Sequence, residues 1–252
     1  MKIAIIGSGL IGATLARKLK NAGHDVLIAN SRGPESLAAF AKETGVGAAT
    51  PEHAVAGAEV VIISVPFPRI PDLKALLGQL PAHTIVADTS NYFPHRDGAI
   101  DAVDAGQVES LWVCEQLGRP VVKAWNTILA GSLANCGTTT GTPNRIALPI
   151  AGDDEQAVAI VSTLVDQTGF DAVPSGSLAD SWRQQPGTPV YCTDLTAAQI
   201  PAALQRADRE KAPHNRDKVI RALIAHVGSN SFDQMTPANN AWLLQINREL
   251  VQ

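Results

Sequence analysis

The stretch that decides the fold is Ile3-Ala4-Ile5-Ile6-Gly7-Ser8-Gly9-Leu10-Ile11-Gly12 (IAIIGSGLIG). Its first four residues form an apolar run, as expected of a parallel strand that is buried on both faces. The pattern G-x-G-x-x-G then opens a predicted helix, Leu10–Asn21, and this strand–turn–helix context is typical of a dinucleotide-binding site. Gly7 permits the tight turn, Gly9 lets the backbone approach a pyrophosphate, and Gly12 lets the helix pack on the strand. A structural turn without a ligand is the alternative interpretation. The predicted cofactor contacts of this turn are Gly7, Ser8, Gly9, Leu10, Ile11 and Gly12.

The end of the second predicted strand, His24–Ala29, indicates which dinucleotide binds. An NAD-specific site needs an acidic residue there, which accepts hydrogen bonds from the 2'-hydroxyl of the ribose. This chain has Asn30, Ser31 and Arg32 instead. A guanidinium and a hydroxyl suit a 2'-phosphate, which a carboxylate would repel. We therefore predict NADP(H) as the cofactor, with these three residues as contacts. A solvated loop arginine is the alternative for Arg32.

Strands and helices alternate along the first two thirds of the chain, joined by short links. This order predicts an α/β fold of the Rossmann type, with a doubly wound and mainly parallel sheet. After Pro174 the composition changes, because residues 175–193 are rich in Gly, Pro, Ser and Gln, and two or three predicted helices follow. The sequence thus predicts an NADP-binding Rossmann domain over residues 1–174. A small C-terminal loop and helical extension is predicted over residues 175–252.

Composition narrows the class of protein. The formal net charge of -4 gives no overall attraction to nucleic acid or to an anionic membrane. The three cysteines have no paired spacing and the six histidines have no ligand spacing, which argues against disulfides and metal sites. No apolar run approaches the length of a membrane span. We expect a cytoplasmic protein that acts on small molecules, with no metal and with no nucleic-acid or membrane partner.

Several segments, found in order over roughly residues 1–174, resemble the coenzyme F420-dependent NADP oxidoreductase family. They are GSGLIG (7–12), NSRGPESL (30–37), ISVPF (63–67), DTSN (88–91), VVKAWNTI (121–128) and IAGDDEQA (150–157). The resemblance implies a Rossmann fold, NADP contacts at Gly9, Ser31 and Arg32, and a second redox partner bound against the nicotinamide. It also implies a homodimer. The later segment LADSWRQQPGTPVYC (178–192) is similar to a bacterial branch of unassigned reductases and departs from the archaeal enzymes.

Polar residues follow the predicted strands at the sheet edge where ligands of open α/β sheets bind. Ser64, Val65 and Pro66 are predicted to line the path of the cofactor, although the end of a strand explains them equally. Asn91, Asn126 and Thr127 are candidates for orienting the carboxamide or the acceptor, and loop capping is their alternative. The proton-donor candidates are Lys123 and His95, with Asn126 as a third catalytic candidate. The alternative for Lys123 is an ion pair with Asp88.

The sequence presents no nucleophile–base pair. This favours a hydride transfer between two rings, because the cofactors then carry the chemistry. The acceptor would then be a flavin, an F420-like deazaflavin or a similar small redox compound. The loop from Trp182 to Tyr191 offers aromatic faces and amides to such a planar ring, or it serves a structural or dimer contact. Two other functions stay open. One is an NADP-dependent dehydrogenase of a small carbonyl or hydroxy compound, and the other is a non-catalytic NADP(H)-binding sensor.

Overall fold

The computed structural model describes residues 1–228 and 236–250, and eight strands of this part form one sheet. The strands are β1 (Lys2–Ile6), β2 (Asp25–Ala29), β3 (Gly47–Ala48), β4 (Val60–Ile63), β5 (Ile85–Asp88), β6 (Val122–Lys123), β7 (Ala147–Ala151) and β8 (Asp171–Gly176). Their spatial order is β3-β2-β1-β4-β5-β6-β7-β8. All neighbours run parallel except β6 and β7. The predicted Rossmann-type, mainly parallel sheet is confirmed.

Helices cover both faces of this sheet. In the described residues they are α1 (Leu10–Asn21), α2 (Ala38–Thr44), α3 (Pro51–Val55), α4 (Lys74–Leu77), α5 (Pro94–Asp97), α6 (Asp101–Asp104), α7 (Glu109–Leu117), α8 (Ala130–Asn135), α9 (Glu155–Gln167), α10 (Ile200–Gln205), α11 (Ala212–Val227) and α12 (Pro237–Leu250). Leu15 and Leu19 of α1 pack with Leu164 of α9 on one face of the sheet. Phe67 and Trp112 stack on the other face, with ring centroids 4.7 Å apart. Apolar residues on both sides explain why the central strands read as continuous apolar runs.

The order of the strands reverses between β1 and β4. From β1 the chain winds outward to β2 and β3, and it then returns to lay β4 on the other side of β1. Such a switch point opens a crevice beyond the carboxyl ends of the two central strands. The glycine turn, which follows β1, lies at this crevice.

Two elements differ from their predicted extents. The sequence predicts a helix over residues 70–77, but the helix begins at residue 74, because the prolines at 66, 68 and 71 keep the segment Phe67–Leu73 in a 3-10 helix. The sequence also predicts a strand over residues 121–125, but β6 is only two residues long. It ends early because Trp125 takes a left-handed φ of 55°, which turns the chain away from the sheet.

The C-terminal third is more structured than its composition indicates. The predicted loop over residues 175–193 contains a 3-10 helix, Leu178–Gln184. The predicted border after residue 174 falls inside β8, and the division into two domains stays a prediction. Residues 229–235 and 251–252 of the predicted extension lie outside the described residues. In the part of the chain that the structure describes, no helix is both long and apolar enough to span a membrane.

Candidate functional site

The three glycines of the turn have different surroundings. Gly7 has a φ of 111°, and a Cβ there would overlap the backbone carbonyl oxygen of Ser64. A Cβ at Gly12 would overlap the carbonyl oxygen of Gly7, so the helix approaches the strand as closely as the pattern predicts. A Cβ at Gly9 has no atom within 4 Å. Gly7 and Gly12 therefore shape the turn, and Gly9 leaves open space above it.

That open space belongs to a cavity of about 350 Å³ at the carboxyl ends of the strands. We call it the central cavity. Its wall contains eight of the predicted cofactor contacts, namely Gly9, Leu10, Ile11, Ser64, Val65, Pro66, Asn91 and Asn126. The structure therefore brings together in one cavity the glycine turn and the ends of β4, β5 and β6, which are far apart along the chain.

Three other predicted contacts, Asn30, Ser31 and Arg32, lie at the end of β2. The amide nitrogen of Asn30 donates to the hydroxyl groups of Ser8 and Ser36, each at 3.0 Å. Its carbonyl oxygen accepts from the backbone N–H of Arg32 at 2.8 Å. Ser31 and Arg32 are exposed, and no ion pair of the Arg32 guanidinium is found among the described residues. Asn30 thus fixes the loop, while Arg32 extends from it into solvent.

Lys123 is buried beneath the site. Its amine donates to a carboxylate oxygen of Asp88 at 2.7 Å and also to the backbone oxygen of Ser90, and both charged side chains are fully buried. This is the ion pair that the sequence offers as the alternative to a proton donor. His95 lies on the exposed surface of α5. Partial loss of solvent, and then the charge of Arg96, lower the pKa of His95 below its ordinary value.

Asn126 is the centre of a buried amide network. Its side-chain nitrogen donates to Oδ1 of Asn91 at 3.1 Å and to the backbone oxygen of Gln184 at 2.8 Å. Its side-chain oxygen accepts from Nε2 of Gln184 at 3.1 Å. Asn91 returns a bond of 2.9 Å to the backbone oxygen of Asn126. The network ties the ends of β5 and β6 to the C-terminal 3-10 helix, so Asn126 acts here as a positioning residue.

Two aromatic side chains complete the wall of the central cavity: Phe93, which the sequence did not assign to the site, and Tyr191, from the loop that the sequence offers to a planar ring. Phe93 and Tyr191 both line it, with ring centroids 6.4 Å apart. Tyr191 is partly buried, and loss of solvent raises the pKa of its hydroxyl well above the ordinary value. Asn240 and Leu243 of α12 close another side. Only the tertiary fold brings these residues to the glycine turn, although the loop that carries Tyr191 did stand out for its aromatic and amide content.

An unpartnered hydroxyl supports a polar ligand in this cavity. Ser90 is a wall residue that is 6% exposed, and no hydrogen-bond partner of its Oγ is found among the described residues. A buried polar atom without a partner is costly, and a ligand group that bonds to it removes that cost. No group of three His, Cys, Asp or Glu side chains in the described part of the chain is placed to hold a metal ion.

Fold and cavity together define the class of NAD(P)-dependent oxidoreductases. Residues 2–92 match the family described as NADP oxidoreductase, coenzyme F420-dependent. The protein SMa0349 of Sinorhizobium meliloti has a crystal structure that is 34% identical, with a TM-score of 0.67, over 78% of this chain and 95% of that one. The chain belongs to the family of coenzyme F420-dependent NADP oxidoreductases.

Two further proteins are similar to this chain. A putative F420-dependent NADP reductase of Arthrobacter sp. FB24 is 22% identical with a TM-score of 0.59, over 91% of this chain and 96% of that one, and it shares the fold. The protein YjhV of Escherichia coli is 51% identical over 69 residues, which are 27% of this chain. That match spans only 50% of the length of YjhV.

Proposed function

We propose that this protein is an NADPH-dependent reductase that passes a hydride to a flavin, a deazaflavin or a similar small redox acceptor. The observation that carries the proposal is the central cavity itself. Its wall contains residues of the glycine turn and also the rings of Phe93 and Tyr191. A nicotinamide and a second planar ring can be held face to face in such a cavity.

The cofactor is bound by the turn and by the loop after β2. The pyrophosphate lies over Gly9, where the backbone N–H groups and the dipole of α1 favour an anion. Ser31 and Arg32 bind the 2'-phosphate, and the loop conformation that Asn30 fixes aims them at it. NADPH, when bound, supplies the hydride. The protein residues bind it, orient it and exclude water around it.

The amide network positions the reacting rings. Asn91 and Asn126 hold each other and the Gln184 segment, so the wall beside the nicotinamide is rigid. Rigid placement matters because a hydride transfer requires reacting atoms about 3–3.5 Å apart. Ser90 is available to bond the carboxamide through its unpartnered hydroxyl.

A second candidate function is the reduction of a small carbonyl compound, and Tyr191 favours it. A carbonyl acceptor needs a proton as well as a hydride, and Tyr, His and Lys are the usual donors. Tyr191 lines the central cavity, and its phenol offers an O–H donor there. In this version Tyr191 replaces Lys123, whose amine is bonded to Asp88, as the candidate acid.

The two candidates separate in one assay. NADPH oxidation is followed against FMN, FAD, riboflavin, F420, ferric chelates, quinones and small aldehydes, with NADH in parallel, for the natural protein and for Tyr191→Phe. Turnover with a flavin or deazaflavin that survives in Tyr191→Phe supports transfer between rings. Turnover with aldehydes alone, lost in the variant, supports carbonyl reduction. Tight NADPH binding without oxidation by any acceptor would contradict both and leave the sensor function. The homodimer and the cytoplasmic location stay predictions.

A further inference from the structure

A second, smaller space lies beside the central cavity. It measures about 60 Å³ and lies between α11, α12 and the segment Pro186–Gly187. We call it the side pocket. Phe93, Leu129, Tyr191 and Leu243 line both spaces, so the side pocket adjoins the central cavity.

The wall of the side pocket is mainly aliphatic. Val219, Ile220 and Leu223 of α11 face Leu243 of α12 across it. Arg216 and Asn247 also line it, and both make hydrogen bonds within the protein. The Nε of Arg216 donates to Asp217 at 2.8 Å, and Nδ2 of Asn247 donates to the backbone oxygen of Leu243 at 3.1 Å. The aliphatic part of the wall therefore suits an apolar group.

Its size restricts that group further. An apolar cavity of roughly 150 Å³ accepts a whole benzene molecule. A space of about 60 Å³ is too small for a ring, but it holds alkyl groups on the edge of a ring that lies in the central cavity. The position of Gly187 keeps the pocket narrow, because a Cβ there would overlap the backbone oxygen of Ala212 and the loop lies directly on α11.

Resting on the proposed function, we propose that the side pocket binds the dimethylated edge of an isoalloxazine ring, so that the acceptor is a flavin. The two methyl groups of that edge would lie among Val219, Leu223 and Leu243. An 8-hydroxydeazaflavin carries a hydroxyl group on the corresponding edge. Placing that oxygen among aliphatic side chains costs free energy, because it loses its hydrogen bonds to water.

The reaction balances with solvent as the only other participant. One hydride leaves C4 of the NADPH nicotinamide for N5 of the flavin, and one proton from water joins N1. NADPH is oxidised to NADP⁺ by two electrons, and the flavin is reduced to dihydroflavin.

The test compares three ligands that differ at this edge: riboflavin, riboflavin lacking both ring methyl groups, and 8-hydroxy-5-deazariboflavin. Binding to the NADP⁺-loaded protein is measured by quenching of ligand fluorescence, and turnover is measured with NADPH. From the burial of two methyl groups we expect riboflavin to bind about tenfold more tightly than the demethylated analogue. Binding decides the outcome, because removing the methyl groups also changes the redox potential of the ring and hence the turnover.

Variants of α11 localise the effect. Val219→Leu adds a methylene group to the pocket wall and is expected to reduce the tenfold preference to less than about threefold. Ile224→Leu is the matched control, since Ile224 lies on the same helix and is 37% exposed. It should leave the preference unchanged. Leu223→Phe fills the pocket more completely and should likewise reduce the preference for riboflavin. Thermal unfolding of each variant checks that it is folded.

The outcomes separate this inference from the proposed function. Equal binding of riboflavin and its demethylated analogue, or tighter binding of the deazaflavin, overturns the inference even where NADPH reduces flavins. A tenfold preference that Val219→Leu removes supports it. The same preference in a protein that oxidises NADPH with no acceptor of the panel overturns the proposed function and leaves the pocket assignment standing. Absence of binding by all three ligands overturns the inference.

Discussion

The Nζ atom of Lys123 lies 2.7 Å from Oδ2 of Asp88, and the two residues are register partners on the adjacent strands β6 and β5. Both side chains are fully buried. The other carboxylate oxygen, Oδ1, accepts the backbone N–H of Ser90 at 3.0 Å, while Lys123 donates to the backbone oxygen of Ser90. The pair therefore fixes the turn that carries Ser90 and Asn91 into the central cavity.

Lys123→Met should destabilise the fold. The substitution leaves the Asp88 carboxylate buried without its partner, and breaking a buried pair in this way costs about 3–5 kcal/mol. Urea unfolding measures the loss, with Lys42→Met as the control, because Lys42 is an exposed lysine on α2. A variant that unfolds like the natural protein but no longer turns over would contradict this and return Lys123 to the role of proton donor.

The central strands and the glycine turn are the part of this molecule that the sequence predicts best. Their signals are local, because a strand buried on both faces needs an apolar run and the turn needs glycine at fixed positions. The partner of Lys123 also follows from the strand ends alone. Leu243 comes to the central cavity from far along the chain, through packing that no local pattern records, so its place in the site could not be predicted. The aromatic and amide content of the loop from Trp182 to Tyr191 does indicate a place for Tyr191, but it does not indicate which strand ends that loop meets.

Gly7→Ala should destabilise the fold, whereas Gly9→Ala should weaken NADPH binding and leave the stability of the fold nearly unchanged. At Gly7 the positive φ alone costs about 1–3 kcal/mol, and the overlap with the oxygen of Ser64 adds to it, so the fold is destabilised. Gly9 has a φ of -70° and open space at its Cβ position. Its variant should unfold within about 0.5 kcal/mol of the natural protein. It should bind NADPH at least about tenfold more weakly, because the methyl group occupies the place of the pyrophosphate.

Urea unfolding and nucleotide titration, applied to both variants, test this pair. Unchanged NADPH affinity in a folded Gly9→Ala protein would show that the pyrophosphate lies elsewhere.

Arg32→Ala should weaken NADPH binding and leave NADH binding nearly unchanged. A hydrogen bond to a charged group contributes about 1.5–3 kcal/mol, so the Kd for NADPH should rise about 10- to 100-fold. The Kd of Arg32→Lys for NADPH should lie between those of the natural protein and Arg32→Ala, since lysine keeps the positive charge but lacks the planar guanidinium. Arg17→Ala is the control, because Arg17 is a half-buried arginine that lies outside the predicted site and pairs with Glu43. Equal losses for NADPH and NADH in Arg32→Ala would count against a 2'-phosphate contact.

The loop around Arg32 also marks a limit of sequence reasoning. The absence of an acid after β2 predicts the phosphate, because charge repulsion is independent of exact geometry. That Asn30 would bind Ser8, Ser36 and the backbone of Arg32 depends on side-chain directions that only the folded loop sets. Asn30 is thus a predicted cofactor contact for which the structure supplies a second role, the positioning of its neighbours.

Glu109 gives the protein a pH-dependent stability. Its carboxyl is 4% exposed and accepts the backbone N–H of Tyr92 at 3.2 Å. Loss of solvent raises its pKa from 4.5 to about 7, against the opposing attraction of Lys123. The folded state therefore holds this proton more tightly than the unfolded state. Its contribution to stability is complete below pH 4.5 and is lost as the pH rises through about 7.

Glu109→Gln should remove this dependence. The amide keeps an acceptor for the N–H of Tyr92 and never ionises, so the variant should be more stable than the natural protein at pH 8, by up to about 3 kcal/mol. Below pH 4.5 the two proteins should unfold alike, since Glu109 is then protonated in both states.

Urea unfolding at a series of pH values from 4 to about 8.5 provides the comparison. Glu115→Gln on the same helix is the control, because Glu115 is exposed. If the free energy of unfolding changes with pH in the same way for the natural protein and for Glu109→Gln, the pKa of Glu109 is not raised. Its ionisation would then cost the folded state nothing.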